Sequence, residues 1–316
     1  MHGPSGEALL AIEWLLIAIA LCLILARLNL RFNHLGRRLV FSDGFILAAF
    51  AAGVALNAMD IVLYQKGVYT SYMDFTMTRL KAPPGEKVVI YKMSHFLNVP
   101  FYLEVYLYKA ALLALYYEIF ARDSRKLRAA LTCLSGYCAV GYITTMCVVL
   151  FLCDWGCYWS LDAPCSPRCT TVTDNLGWAF HLTAEICIFL LPVIYISQTN
   201  MTRPQKLSAS FTFFIGFISI SITIARWFVV QAVFTPEPSL TTAETFSIAD
   251  GHSGLIVATL PSLRPYLRIW QGADLSSRPA EIVTKSQTAP GENTADRNRC
   301  SSRRSSSRRP LSPNPA

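Results

Sequence analysis

Long apolar stretches separated by short polar connections dominate the hydrophobic pattern of the chain. A run of about 20 apolar residues is long enough to cross a hydrocarbon core about 30 Å thick. We predict seven such spans, at residues 8–28, 44–64, 96–120, 129–152, 176–197, 209–233 and 243–263. The seventh is the weakest, because it carries Glu244, Asp250 and His252. The predicted fold is therefore all-α, a polytopic bundle of seven transmembrane helices.

The first apolar run could also be read as a signal peptide. Its leading region has no Lys or Arg, and it is longer than the core of a typical signal, which has about 7–15 residues. We interpret residues 8–28 as a retained first span, preceded by a short N-terminus at residues 1–7. Composition agrees with a membrane protein, since 53% of the residues are hydrophobic and 15% are charged, against about 25% charged in soluble domains.

The basic residues outside the spans are unevenly distributed between the two sides. Cytoplasmic connections near span ends carry an excess of Lys and Arg. One side has Arg27, Arg31, Arg37, Arg38, Arg122, Arg125, Lys126, Arg128, Arg203, Lys206 and the basic tail, whereas the other has Lys66, Arg79, Lys81, Lys87, Lys92 and Arg168. Six spans would place the basic tail outside. We therefore favour seven, with the N-terminus outside and the tail in the cytoplasm.

The chain divides into residues 1–7, the seven-span domain at 8–268 and a tail at 269–316. The tail is polar and rich in Ser, Pro and Arg, so it cannot bury enough apolar surface to fold, and we predict that it is disordered. Its charge suits anionic lipid. Serines beside arginines in RNRCSSRRSSSRRPLSP also suit phosphorylation by basophilic kinases. The sequence leaves both roles open.

Four cysteines fall in one short predicted outer loop: Cys153, Cys157, Cys165 and Cys169. Zinc sites favour spacings of two to four residues together with His, in a reducing compartment. An outer loop lies where disulfides persist. We predict one or two disulfides, with three pairings open, and no metal site. The cysteines within spans, such as Cys22, Cys133, Cys138, Cys147 and Cys187, are interpreted as small packing residues.

Ionisable residues occur inside the predicted spans, where an unpaired charge costs at least about 2.5 kcal/mol on insertion scales. Most are expected to reach similar depths, so they should face inward as one polar cluster. Its predicted members are Asp60, Glu104, Lys109, His181, Glu185, Arg226, Asp250 and His252. Lys109 should point toward a carboxylate, with Asp60, Glu104, Glu185 and Asp250 as candidates. The cluster is consistent with counter-ions that fix packing, with a ligand pocket open outward, or with an ion pathway.

Two function classes are disfavoured by the residues present. The chain has no HExxH, GxSxG or phosphate-binding glycine loop, and only His181 and His252 lie within spans, so we predict no enzymatic activity. Opsins attach retinal to a lysine of the last span, whereas the seventh span here has none. We therefore expect no retinal and no other cofactor.

Six stretches in order resemble a known family: RRLVFSDG, YKAALLALYYEIF, CDWGCYWSLDAPC, IFLLPVIYI, QKLSASFTFFIGFISISITIARW and GLIVATLPSLRPYLR. The resemblance is to the fungal rhodopsin-domain integral membrane proteins, seven-span relatives of the surface-sensing receptors of moulds. The family includes the membrane protein of the satratoxin mycotoxin gene cluster. The resemblance covers roughly residues 27–268. Asp43 stands where the family often has two acids, and the DRY and NPxxY motifs of animal receptors are absent.

The resemblance implies one of two roles. The first is a receptor-like sensor or regulator associated with secondary-metabolite biosynthesis, with a small-molecule ligand and a cytoplasmic signalling partner. The second is a transport, export or accessory membrane protein of a mycotoxin gene cluster. A purely structural scaffold stays open as well. In each case we expect the lipid bilayer as a partner, no nucleic acid, and a multi-pass location in the plasma membrane.

Overall fold

The computed structural model describes residues 3–34, 40–74, 77, 80–120, 125–152, 167–197, 203–232 and 239–263. Within these ranges the chain forms α-helices, turns and one isolated bridge between Asp74 and Ser239, and no strand. The helices are α1 (Gly6–Asn29), α2 (Phe41–Gln65), α3 (Pro84–Phe96), α4 (Asn98–Phe120), α5 (Arg125–Cys147), α6 (Pro167–Ser197), α7 (Arg203–Ala232) and α8 (Leu240–Thr259). The prediction of an all-α seven-helix bundle is confirmed.

Each predicted span lies on one long helix, and the differences are at the ends. A π-helical segment, Leu30–His34, follows α1, and another, Val148–Leu152, follows α5. Helix α6 begins at Pro167 rather than at residue 176, because polar residues outside the apolar run continue the helical hydrogen bonding. The short helix α3 was not predicted; its sequence is too polar to register as a span.

Helix α4 lies at the centre of the packing. It contacts α2, α5 and α8 extensively and α6 less, while α1 packs against α2 and α8. Helices α5, α6, α7 and α8 follow one another as packed neighbours. The central position of α4 explains why Val105, Tyr108, Lys109 and Leu112 are all buried along it.

The distribution of polar and apolar side chains is reversed relative to a water-soluble protein. Leu15, Phe41 and Phe151 are 61%, 86% and 69% exposed, whereas Glu13, Lys109 and Asp250 are fully buried. A large apolar exterior marks a surface that contacts lipid or protein rather than water. The arrangement is that of helices standing in a bilayer around a polar interior.

By length and composition alone, three described segments could each cross a membrane: Gly6–Phe32, Phe41–Gln65 and Arg125–Leu152. Helices α4, α6 and α7 do not meet these criteria within the residues that the structure describes. Helix α4, for example, carries Glu104, Lys109 and several tyrosines on buried positions, so its mean hydropathy is lower. Their place among the spans follows from the bundle rather than from hydropathy alone.

The loop after α2 covers one end of the bundle, which we call the loop end. Gly67, with φ of 73°, stops α2 in a left-handed conformation, and the amides of Gly67 and Val68 donate to Tyr64 and Leu63. This is the Schellman arrangement that caps helix C-termini. Farther along, Ser71 accepts a hydrogen bond from the Gly3 amide, and Met73 accepts one from the Leu240 amide. The loop therefore ties the start of α1 to the start of α8.

Candidate functional site

Lys109 has no exposed surface, and its ammonium lies 2.5 Å from His181 Nδ1 and 3.3 Å from the Tyr108 hydroxyl. The predicted direct pairing with a carboxylate is wrong, because His181 stands between Lys109 and the nearest acids. A charged Lys109 can only donate, so Nδ1 accepts and Nε2 carries the ring proton. His181 Nε2 lies 3.1 Å from Asp250 Oδ2. His181 thus relays the hydrogen bonding from α4 through α6 to α8.

Asp250 is the acceptor on which the cluster converges. Arg226 Nη1 donates to Oδ2 at 3.1 Å, and the Thr223 hydroxyl donates to Oδ1 at 2.5 Å. The Arg226 guanidinium also lies 4.8 Å from the centre of the Phe101 ring, at cation–π distance. Three donors from two helices therefore hold a carboxylate that is completely buried in α8.

Glu185 forms the second anionic centre, one turn after His181 on α6. It accepts a hydrogen bond from Ser219 at 2.6 Å, and its Oε2 lies 2.9 Å from the Thr223 hydroxyl. Lys109 and Arg226 thus balance Asp250 and Glu185 in charge, with His181 neutral. We call these five residues together with Ser219 and Thr223 the central network.

The ligand atoms of His181, Glu185 and Asp250 lie within 4.8 Å of one another, close enough to hold a metal ion. Both carboxylates are already neutralised, however, and Lys109 and Arg226 flank the group. Two adjacent cations repel a metal ion, so the side chains present do not favour one. The expectation that the protein has no metal site stays a prediction.

Glu104 and His252 form a neighbouring pair outside the central network. His252 Nδ1 lies 2.8 Å from Glu104 Oε1, and Nε2 lies 3.0 Å from Asn57 Oδ1. A Cβ added at Gly53 would lie 3.1 Å from Glu104 Oε1, so glycine lets α2 approach the carboxylate closely. The pair links α2, α4 and α8.

Asp60, the remaining predicted member, lies apart from both groups. Its Oδ1 accepts a hydrogen bond of 2.5 Å from the hydroxyl of Tyr69 in the loop that closes the loop end. Burial, and then the neighbouring carboxylates, raise the pKa of Tyr69 well above its usual range. Tyr69 therefore stays protonated and donates. The eight predicted residues are all buried, but they form three groups rather than one cluster.

The prediction of the polar cluster did not include several further buried charges. Asp43 accepts from Arg27 at 2.8 Å and lies 2.9 Å from Arg31, which joins α1 to α2 at the end opposite the loop end. Glu13 in α1 is fully buried. Glu13 lies inside the predicted first span and met the criterion used for the other eight, whereas Asp43 lies one residue before the predicted second span. Ser219 and Thr223 carry no such signal, because Ser and Thr are common in membrane helices.

The predicted disulfide residues Cys153, Cys157 and Cys165 lie outside the described residues, as does the side chain of Cys169, so the disulfides stay a prediction. Among the described cysteines only Cys138 is buried, whereas Cys22, Cys133, Cys147 and Cys187 are exposed free thiols. Their interpretation as packing residues is correct for Cys138 and wrong for the other four, which lie on the outer faces of their helices.

An apolar groove of about 380 Å³ lies between α2, α4 and α5, lined by residues such as Leu103, Tyr106, Leu107, Leu131 and Tyr142. No member of the central network lines it. An outward-open ligand pocket was one of the three interpretations of the polar cluster, and this groove is not that pocket.

The helices have an apolar exterior, and the central network links α4, α6, α7 and α8 in the interior. These two features define a multi-pass membrane protein with a polar interior. Residues 26–269 match the family model for the fungal rhodopsin domain, and the chain belongs to this family. The predicted extent of the resemblance is confirmed. No curated protein and no solved structure matches the chain.

Proposed function

We propose that the protein is a receptor-like membrane sensor that regulates secondary-metabolite production. The observation that carries the proposal is the central network, in which α4, α6, α7 and α8 contribute to one set of buried ion pairs and hydrogen bonds. Ionisable residues inside a membrane are costly and mark functional sites by default. The link to secondary metabolism rests on the family resemblance.

Thr223 gives the network a way to switch. Its hydroxyl has one proton, yet Asp250 Oδ1, Glu185 Oε2 and the Ser219 carbonyl lie 2.5, 2.9 and 3.2 Å from it. A hydroxyl donates one hydrogen bond at a time. A small shift of α7 would therefore move the Thr223 hydrogen bond from one carboxylate to the other, that is, between Asp250 of α8 and Glu185 of α6. A ligand that favours one arrangement would shift the population of the other.

Export of a metabolite is the second candidate. Ionisable side chains lie along the bundle from Glu13 and Asp60 near the loop end, through Lys109, to Arg27 and Asp43 at the opposite end. Such a series also suits a polar path. The two candidate functions predict different results: an exporter changes where a product accumulates, whereas a sensor changes how much of it is made.

The test is a deletion strain of the source organism in which secondary metabolites are quantified separately in cells and in medium. Loss of product from both compartments is expected for a sensor or regulator. Accumulation inside with loss outside would overturn the sensor in favour of export, and unchanged levels would remove the link to metabolism. Complementation with Thr223→Val should fail to restore output, while Ser221→Ala on the exposed face of α7 should restore it at equal protein level.

A further inference from the structure

A second group of acids lies near the loop end, separate from the central network. Glu13 of α1, Asp60 of α2 and Glu244 of α8 interact electrostatically with one another in all three pairs. Glu13 is fully buried and Asp60 is 1% exposed, while Glu244 is half-buried. We call these three residues the acidic triad.

Two acids of the acidic triad, Glu13 and Asp60, have buried carboxylate oxygens without a hydrogen-bond partner among the residues that the structure describes. Within the described part of the chain, neither oxygen of Glu13 has a hydrogen-bond partner, and Oδ2 of Asp60 has none. The two bases that interact with the triad electrostatically are already engaged: His252 binds Glu104 and Asn57, and Arg226 binds Asp250. A buried carboxylate without a partner costs several kcal/mol, so a positive group from elsewhere would stabilise this site.

The geometry favours an organic cation over a metal ion. Metal ions need several oxygen atoms that converge on one point. Among the described residues, the group of acids and histidines close enough for that is His181, Glu185 and Asp250, not the acidic triad. Carboxylates that are spread over three helices suit a longer molecule with N–H groups at more than one position. The Tyr69 hydroxyl, bonded to Asp60, adds a polar contact at the same end.

We propose that the acidic triad binds an organic ammonium ligand, such as a polyamine or an amine-bearing metabolite, which enters beside half-buried Glu244. The bound cation would cross-link α1, α2 and α8 under the loop that carries Tyr69. Glu13 lies outside the residues matched by the family model, whereas Asp60 and Glu244 lie inside them. Binding of the amine does not depend on the proposed function; only the idea that the amine is the signal that the sensor detects rests on it.

The experiment measures thermal unfolding of the purified full-length protein in neutral detergent, titrated with spermidine at constant ionic strength. The expected result is a saturable rise in the unfolding midpoint. Glu13→Gln should raise the half-saturating spermidine concentration about tenfold or more, the effect of losing one buried charge contact. Glu7→Gln, which removes an exposed carboxylate from the same helix, should leave that concentration unchanged. If Glu13→Gln does not fold, Glu244→Gln takes its place.

Three outcomes would overturn the proposal: no saturable response in the unaltered protein, equal responses in Glu13→Gln and the unaltered protein, or a response to NaCl or CaCl₂ alone that matches that of spermidine. The third would assign the site to an inorganic cation. If spermidine binds, but the Thr223→Val variant still gives normal metabolite output, the sensor is refuted and the amine site is not. Binding that is absent while output depends on Thr223 would refute only the amine site.

Discussion

The buried lysine shows how a single side chain is accommodated at the centre of a membrane bundle. Lys109 reaches the carboxylates of Asp250 and Glu185 only through the imidazole of His181. A neutral histidine that accepts on one side and donates on the other passes polarisation between the charges without being charged itself. The distance from the Lys109 ammonium to the Asp250 carboxylate is therefore longer than in a direct ion pair, and α6 joins α4 and α8 in the interaction.

Replacing Lys109 by Met, which has a similar shape and no charge, should lower the free energy of unfolding by about 3–5 kcal/mol, because Asp250 and Glu185 then share only Arg226 as a cation. The same change at Lys66 is the matched control. Lys66 is 44% exposed and lies 3.5 Å from Glu86, so its loss should cost less than about 1 kcal/mol. Thermal unfolding in detergent measures both. Equal shifts for the two variants would contradict the buried-pair account.

At the scale of elements, the end of α2 controls how the loop end is closed. Gly67 turns the chain so that Val68, Tyr69 and Met73 pack over α1 and α8 and become buried. Tyr69 reaches Asp60 only because the helix stops where it does. The cap therefore connects a backbone property of one glycine to the electrostatics of the acidic triad.

Gly67→Ala should destabilise the protein by about 1–2 kcal/mol, since a Cβ is disfavoured in the left-handed region. Gly44→Ala provides the control, because Gly44 lies in the first turn of α2 and an added Cβ meets no atom within 4 Å. That change should be neutral or stabilise by up to about 1 kcal/mol. Unfolding midpoints of the two variants, measured side by side, check the sign. A neutral Gly67→Ala would show that the cap does not require glycine.

At the scale of the whole bundle, the described helices are apolar outside and charged inside, an arrangement that needs a lipid or detergent surrounding rather than water. The sequence also assigns more Lys and Arg to the side of Arg27 and Arg31, opposite the loop end, than to the loop-end side. From the positive-inside rule we expect the loop end and the N-terminus to face outside and the basic tail to face the cytoplasm.

Epitope tags test this orientation directly. An N-terminal tag should be labelled by antibody in intact wall-free cells, and a C-terminal tag only after permeabilisation. Asn200 begins the sequence NMT, which matches an N-glycosylation sequon. It should remain without glycan, because the α6–α7 connection would face the cytoplasm. Labelling of the C-terminal tag in intact cells would reverse the topology, with a cytosolic protein serving as the control for leakage.

The sequence by itself determined the all-α class, the positions of the seven spans and the family, because apolar run length and ordered motifs are local properties of the chain. It also marked the ionisable residues that would have to be buried, since the cost of a charge in lipid does not depend on its partner. Glu13 carried the same signal as Lys109 and could have been included.

Only the tertiary structure decided which charges meet. Neighbouring residues on a helix point about 100° apart, so a small rotation of α6 exchanges the residue that faces Lys109. His181 rather than a carboxylate faces Lys109 because of how α6 is rotated against α4. Asp60 joins Tyr69 and the acidic triad instead of the central network because α2 brings it to the loop end. Pairings between helices distant in sequence depend on depth and rotation, and neither is encoded in any local pattern.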